Sequence, residues 1–147
     1  MGLFDSLRIS ASSLMAQRLR MDIVANNVAN VNTTRGVDGK PYRRQSVTFR
    51  EQRQGASFGD LLGAARGAST PAGVEVAGIH LDNAPPRKVH DPSHPDADAN
   101  GDIFLPSIDM VTEMTDLVSA SRAYDASVTV LNATKALAQS ALNIGRA

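Results

Sequence analysis

The sequence predicts a mainly α-helical protein with a small β-rich insert, whose long N- and C-terminal helices form a coiled-coil-like layer. Both ends of the 147-residue chain carry apolar residues at alternating steps of three and four. Between them, residues 36–106 hold all seven prolines and nine of the eleven glycines. Aromatic residues make up only 4% and cysteine is absent, which disfavours one thick core and excludes a disulfide scaffold. We therefore expect an N-terminal helix within 1–34, a loop-rich middle domain over 35–106, and a C-terminal helix within 107–147 that packs with the first.

The N-terminal helix is predicted over residues 3–31, which contain neither proline nor glycine. A period of 3.5 residues is sustained over four heptads, and only Arg18 interrupts the apolar positions. Asparagines near residue 30 weaken the helix, and Gly36 ends it. The periodic positions are Phe4, Leu7, Ala11, Leu14, Arg18, Met21, Ala25 and Val28.

The middle domain shows short alternating runs that are typical of strands. These runs lie at 42–49, 74–76 and 79–81. Residues 54–73 are small and glycine-rich, and we expect them to form a mobile loop. The middle third is therefore predicted to be a small β-rich insert.

The C-terminal helix is predicted to begin after Asp109, which is a suitable N-cap. Two apolar lines run along it, one residue or about 100° apart, so they face different directions. The first line contains Met110, Met114, Leu117, Ser121, Tyr124, Val128, Leu131, Lys135, Ala138 and Leu142. The second contains Ala120, Ala123, Ser127, Val130, Thr134, Leu137, Ala141 and Ile144.

A pair of helices can bury only one of these two lines, so the second line requires another partner. One apolar seam does not offset the conformational entropy of ordering helices of this length. We expect both terminal helices to be largely disordered in a dilute monomer and to order on assembly. The predicted assembly interface comprises Leu7, Ala11, Leu14, Arg18, Met21, Ala25, Val28, Met114, Leu117, Tyr124, Val128, Val130, Leu131, Leu137 and Ile144.

The polar residues Arg18, Ser121 and Lys135 interrupt these lines and leave two alternatives open. Such residues can specify the register of paired helices at some cost in stability. Alternatively, the long side chains extend out of a loosely packed seam into solvent.

The loop after residue 90 resembles metal sites only superficially. Residues 96–101 imitate the first half of an EF-hand, but its twelfth position is Ser107 and prolines exclude the flanking helices. His90 and His94 are four residues apart, but Pro92 breaks the helix that would align them. No nucleophile–base pair accompanies them, so we expect no enzyme, no metal, no cofactor and no small-molecule substrate.

Charge is balanced overall but segregated locally. The chain has 15 basic and 15 acidic residues, which disfavours nucleic-acid binding. Residues 35–53 are net basic and residues 82–102 net acidic, which fits either complementarity between neighbouring subunits or ordinary solvated loops. No run of about 18 apolar residues predicts membrane insertion, and the first residues do not resemble a cleavable secretory leader.

Two segments resemble the paired signatures of the bacterial flagellar rod and hook proteins. Residues 13–33 are similar to the N-terminal signature, and residues 113–126 are similar to the C-terminal one. The family-motif residues are Asp22, Asn26, Asn27, Asn30, Asn32, Glu113, Arg122 and Tyr124. Within the family, residues 42–45 and 91–99 resemble a short member of the proximal rod. His90, Asp102 and Ser127 depart from that pattern.

The resemblance implies a structural subunit of the flagellar basal body that transmits torque in the periplasm-spanning proximal rod. Implied partners are copies of itself, other flagellar rod proteins, and the flagellar type III export apparatus, which exports such subunits without a cleavable signal peptide. The resemblance also implies an inner coiled-coil layer made by the terminal helices. The alternative to a structural subunit is a binding module: a non-enzymatic adaptor whose terminal helices fold on a single partner.

Overall fold

The computed structural model describes residues 3–36, 38–52 and 73–144 as two long helices and two small sheets. Strands β1 (Gln45–Glu51) and β2 (Val74–Leu81) form one two-stranded sheet, and β3 (Arg87–His90) and β4 (Asp102–Leu105) form another. The β3–β4 pair is antiparallel, with partners from Arg87↔Leu105 to His90↔Asp102. The mainly helical class with a small β insert is confirmed. In chain order the elements are α1 (Leu3–Ala29), β1 (Gln45–Glu51), β2 (Val74–Leu81), β3 (Arg87–His90), β4 (Asp102–Leu105) and α2 (Met110–Ile144).

The helix ends follow from local capping. The carboxylate of Asp109 accepts hydrogen bonds from the Val111 N–H (3.2 Å) and the Thr112 hydroxyl (2.6 Å), so Asp109 is the predicted N-cap of α2. At the end of α1, Asn30 donates from its side-chain amide to the Asn26 carbonyl at 2.9 Å. This bond satisfies a carbonyl of the last turn, and α1 ends two residues before the predicted boundary.

The strand predictions were partly wrong. The first strand begins at Gln45 rather than Tyr42, and the two short runs around Gly78 are one continuous strand. Strands β3 and β4 were not predicted, because four residues are too few to show an alternating pattern. Most of the expected 54–73 loop lies outside the described residues.

Contacts divide the chain into two compact units. The first combines described residues within 1–19, 49–77 and 121–147, and the second combines 20–48 and 78–120.

In the first unit, small residues allow the backbone at Gly73 and Val74 to lie against α1. The N–H of Gln52 donates to the carbonyl of Gly73 at 2.7 Å, and the N–H of Val74 donates to the Ser12 hydroxyl at 3.0 Å. A Cβ at position 73 would overlap Ser12, so glycine permits this approach. Ser13 and Ser127 place their hydroxyl oxygens 3.0 Å apart, which joins α1 to α2.

In the second unit, buried apolar residues lie on both helices, on β4 and just after it. Side chains on α1 and α2 also meet here: Arg20 donates to Asp116 at 3.3 Å, and Asn27 donates to Glu113 at 2.9 Å. Rising numbers on α1 therefore meet falling numbers on α2, so the helices run antiparallel within this unit. Its buried apolar residues are Ile23, Val24, Ile103, Leu105, Ile108 and Ala120.

Candidate assembly surface

Large apolar side chains stay exposed along α2. Leu137 and Ile144 expose 69% and 79% of their surface, and both were predicted interface residues. Exposed aliphatic side chains of this size are informative when they form a series along one element. Other members of the series are Met110, Val111, Met114, Val118, Val130 and Leu142.

The expectation that the chain buries one apolar line of α2 and exposes the other was wrong. Ala120 is buried and Leu117, Tyr124, Val128 and Leu131 are half-buried, so the covered strip draws on both lines. The two lines are only about 100° apart around the helix, so one covered strip of that width takes residues from both of them along its length.

Helix α1 has a more mixed distribution. The predicted interface residues Leu7, Ala11, Leu14, Met21 and Val28 are half-buried, whereas Arg18 and Ala25 are exposed. Phe4 (83%) and Met15 (75%) are also largely exposed. The three polar interruptions, Arg18, Ser121 and Lys135, all lie on exposed positions.

A buried polar cluster lies in the second unit, around Asn27. This side chain is fully buried, and both its donors and its acceptor are used. Its amide nitrogen donates to the Gln45 carbonyl (2.8 Å) and to Glu113 (2.9 Å). Its oxygen accepts from the Gln45 N–H (2.9 Å) and the Tyr42 hydroxyl (3.0 Å). Asn27 thus fixes the first residue of β1 against α1 and α2.

Glu113 is the charged member of this cluster and is fully buried. Arg44 donates from Nε to its Oε1 at 2.5 Å, so the buried carboxylate has a direct counterion. Arg44 also lies 3.7 Å from Asp116, whose other oxygen accepts from Arg20 at 3.3 Å. These two arginines and two acidic residues therefore link α1, α2 and the segment that leads into β1.

The cluster also affects Tyr42. Burial raises the pKa of the Tyr42 hydroxyl, and the nearby Glu113 charge raises it further. Because Tyr42 donates to Asn27, its neutral form is the one that the cluster requires.

The remaining family-motif residues have different surroundings. Asn30 accepts from the Thr33 hydroxyl at 3.1 Å and caps α1, as described above. Asp22, Asn26, Asn32 and Arg122 are exposed, and Tyr124 is half-buried. The roles of Arg44 and Gln45 were not predicted, because no local pattern places residues 44–45 beside Asn27.

The oppositely charged segments meet within one chain. Arg35 lies 3.5 Å from Asp96, which also accepts from the Thr34 hydroxyl at 2.7 Å. Arg43 donates to the backbone carbonyl of Asp82 at 3.0 Å rather than to its carboxylate. The Arg35–Asp96 ion pair between the two segments therefore forms within one chain and requires no neighbouring subunit.

The two histidines of the 90–102 loop have separate protein partners. His90 Nδ1 lies 3.1 Å from Asp102, and His94 Nδ1 accepts from the Asp96 N–H at 3.1 Å. Lys88 Nζ contacts the other oxygen of Asp102 at 2.6 Å. The hydrogen bonds from Lys88, which has the larger effect, and from His90 lower the pKa of the Asp102 carboxyl. Across the described ranges, no three histidine, cysteine or acidic side chains group as they would around a metal ion.

The hydropathy of the two helices bears on whether either could cross a membrane. Within residues 3–36, 38–52 and 73–144, neither helix combines the length and apolar character that crossing a bilayer demands.

Two family models match the ends of the chain, where both helices lie. The model described as "Flagella basal body rod protein" matches residues 7–35. The model described as "Flagellar basal body rod FlgEFG protein C-terminal" matches residues 106–144. These segments contain Asn27 and Glu113, the two fully buried members of the polar cluster.

Curated relatives match almost the whole chain, and each carries the name flagellar basal-body rod protein FlgC. The Bacillus subtilis protein is 46% identical over 149 residues, covering 97% of this chain and 98% of the relative. The Borreliella burgdorferi protein is 43% identical over 153 residues, covering 98% of both chains. The Salmonella typhimurium protein is 38% identical over 146 residues, covering 99% of this chain and all of the relative.

Proposed function

We propose a mode of assembly for this chain, which belongs to the FlgC family of flagellar basal-body rod proteins. The protein is a structural subunit of the rod and assembles with itself and other rod components. Its terminal helices form an inner coiled-coil layer of a helical tube in the proximal rod, and the β-rich middle domain lies outside that layer. Contacts that do not close on themselves generate such a tube.

The observation that carries this proposal is the exposed apolar series on α2. Val130, Leu137 and Ile144 each expose more than half of their surface, whereas Leu131 and Ala138, which follow the first two in the chain, are half-buried. Burying each such side chain in a neighbour contributes about 1.5–3 kcal/mol, repeated for every subunit. A rod that transmits torque requires many such contacts, and the chain supplies them without chemistry of its own.

The remaining parts of the proposal follow from the family. The subunit lies in the part of the basal body that spans the periplasm, and it reaches this place through the flagellar type III export apparatus. Assembly requires no cofactor, nucleic acid, small-molecule substrate or membrane insertion.

Negative-stain microscopy of the full chain at high concentration tests the proposal. We expect filaments or rings for the wild type, and their loss in Leu137→Asp, which places a charge on the exposed series. Asn100→Asp, on an exposed loop, is the control and should assemble normally. Discrete complexes in place of filaments or rings would instead favour an adaptor that folds on one partner.

A further inference from the structure

We propose that the buried polar cluster of Asn27, Arg44 and Glu113 selects the register of the two terminal helices rather than adding net stability. The register is a property of the two helices of one chain in the state in which both have formed. Only its consequence for assembly rests on the proposed function.

The apolar residues by themselves do not define one register. On α1, half-buried apolar residues recur every seven positions, and the same is true of α2. A shift of one helix by seven residues therefore again places apolar side chains against apolar side chains. The repeated positions are Leu7, Leu14, Met21 and Val28 on α1, and Leu117, Tyr124, Leu131 and Ala138 on α2.

The polar cluster tolerates no such shift. Asn27 donates to Glu113 at 2.9 Å, and moving one helix by a single turn displaces it by about 5.4 Å. Glu113 would lose Asn27, and its fully buried carboxylate would also separate from Arg44. An unpaired buried charge is strongly unfavourable, so every slipped register is disfavoured.

The cluster is better suited to specifying a register than to stabilising the fold. Buried ion pairs often contribute no more than well-packed apolar residues of the same volume, because the charges lose their hydration. The register in turn decides which side chains of α2 stay exposed. It therefore fixes the position of the exposed series that includes Val130, Leu137 and Ile144.

Engineered disulfides measure the register directly, because the chain has no cysteine of its own. Ser13 and Ser127 hold their hydroxyl oxygens 3.0 Å apart, so Ser13→Cys with Ser127→Cys reports the native register. Ser13→Cys with Thr134→Cys reports a shift of one heptad. Both pairs are oxidised in the full chain at a concentration where circular dichroism shows the helices formed.

The test variant replaces the cluster with apolar residues of similar size: Asn27→Leu, Arg44→Met and Glu113→Met. We expect it to keep the wild-type helical signal and thermal midpoint. The yield of the in-register disulfide should fall about tenfold relative to the slipped pair, which corresponds to about 1.4 kcal/mol of lost discrimination. An unchanged ratio, or a loss of the helical signal, would overturn the proposal.

A second variant keeps the cluster polar. Asn27→Asp brings two carboxylates together and also places an acceptor against the Gln45 carbonyl, which accepts from Asn27 in the wild type. Both changes should lower the in-register yield. If this variant leaves the yield unchanged, the proposal fails.

Glu75→Gln is the matched control, because it breaks the exposed Arg50–Glu75 pair (2.6 Å) and should leave both yields unchanged. If the chain with Ser13→Cys and Ser127→Cys forms the in-register disulfide but no filaments, this result would count against the proposed function and not against register selection.

Discussion

Asn27 illustrates how one side chain can depend on residues that are distant in sequence. Its four hydrogen bonds reach residues 42, 45 and 113, and none of these lies within the same turn of the helix. The sequence marked Asn27 and Glu113 only as members of two separate signatures. Their direct contact could not be predicted, because it depends on how α1 and α2 pack.

Removing this single side chain should destabilise the fold. Asn27→Ala removes one hydrogen bond from the buried Glu113 carboxylate, which keeps Arg44, and leaves the Gln45 backbone groups without their side-chain partner. We therefore expect the free energy of unfolding to fall by about 3 kcal/mol. Urea unfolding of the full chain measures this. Glu75→Gln is the control and should cost less than about 1 kcal/mol. Equal losses of unfolding free energy in the two variants would contradict a larger contribution from the buried cluster than from an exposed ion pair.

Asp102 makes the β3–β4 sheet sensitive to acid. Hydrogen bonds from Lys88 and His90 lower the folded pKa of the Asp102 carboxyl below its ordinary value of 3.8. Its contribution to stability is therefore complete above that value and is lost as the pH falls through the lower folded pKa.

We expect the wild type to lose more stability than Asp102→Asn when the pH falls from about 5 to about 2. Thermal unfolding across this range measures the difference, and NMR of the β3 and β4 amides assigns it to the sheet. Parallel pH profiles for the two proteins would contradict the role given to this carboxylate.

At the scale of elements, the long helices could be predicted and the short strands could not. The periodicity of α1 and α2 extends over many turns, and Asp109 marks the start of α2 by its own chemistry. Strands β3 and β4 depend on pairing with each other, which is not visible in four residues. The two predicted lines on α2 were wrong as separate faces because one covered strip is wide enough to take residues from both of them.

Two leucines on α2 separate folding from assembly. Leu131 is half-buried, and Leu131→Ala should lower the free energy of unfolding by about 2 kcal/mol. Leu137 is 69% exposed, and Leu137→Ala should change the free energy of unfolding by no more than about 0.5 kcal/mol while weakening assembly. Unfolding curves, recorded at a concentration at which circular dichroism shows α2 formed, and sedimentation measure the two effects. If Leu137→Ala instead destabilised the chain as much as Leu131→Ala under these conditions, this side chain would be part of the fold.

At the scale of the whole molecule, the exposed apolar series connects the fold to the rod. A chain whose helices display this much apolar surface gains by burying it in neighbours. The family match identifies the assembly, and the exposed side chains indicate which surface takes part in it.

Because the exposed apolar side chains are covered only on assembly, we expect helix formation to depend on protein concentration. We expect circular dichroism of a dilute monomer to show little of the signal of α1 and α2, and the signal to rise as subunits assemble. Limited proteolysis at the same concentrations should cleave the terminal segments only in the monomer. Protease-resistant, fully helical termini in a proven monomer would refute this expectation.

Cross-linking inside the native assembly tests the central claim most directly. Photoreactive residues are placed at Val130, Leu137 or Ile144, with Asn100 on an exposed loop as the control. We expect the three α2 positions to give products with neighbouring subunits and the control to give few. If the three positions reacted only with solvent or with their own chain, the exposed series would not be an assembly surface and the account would be contradicted.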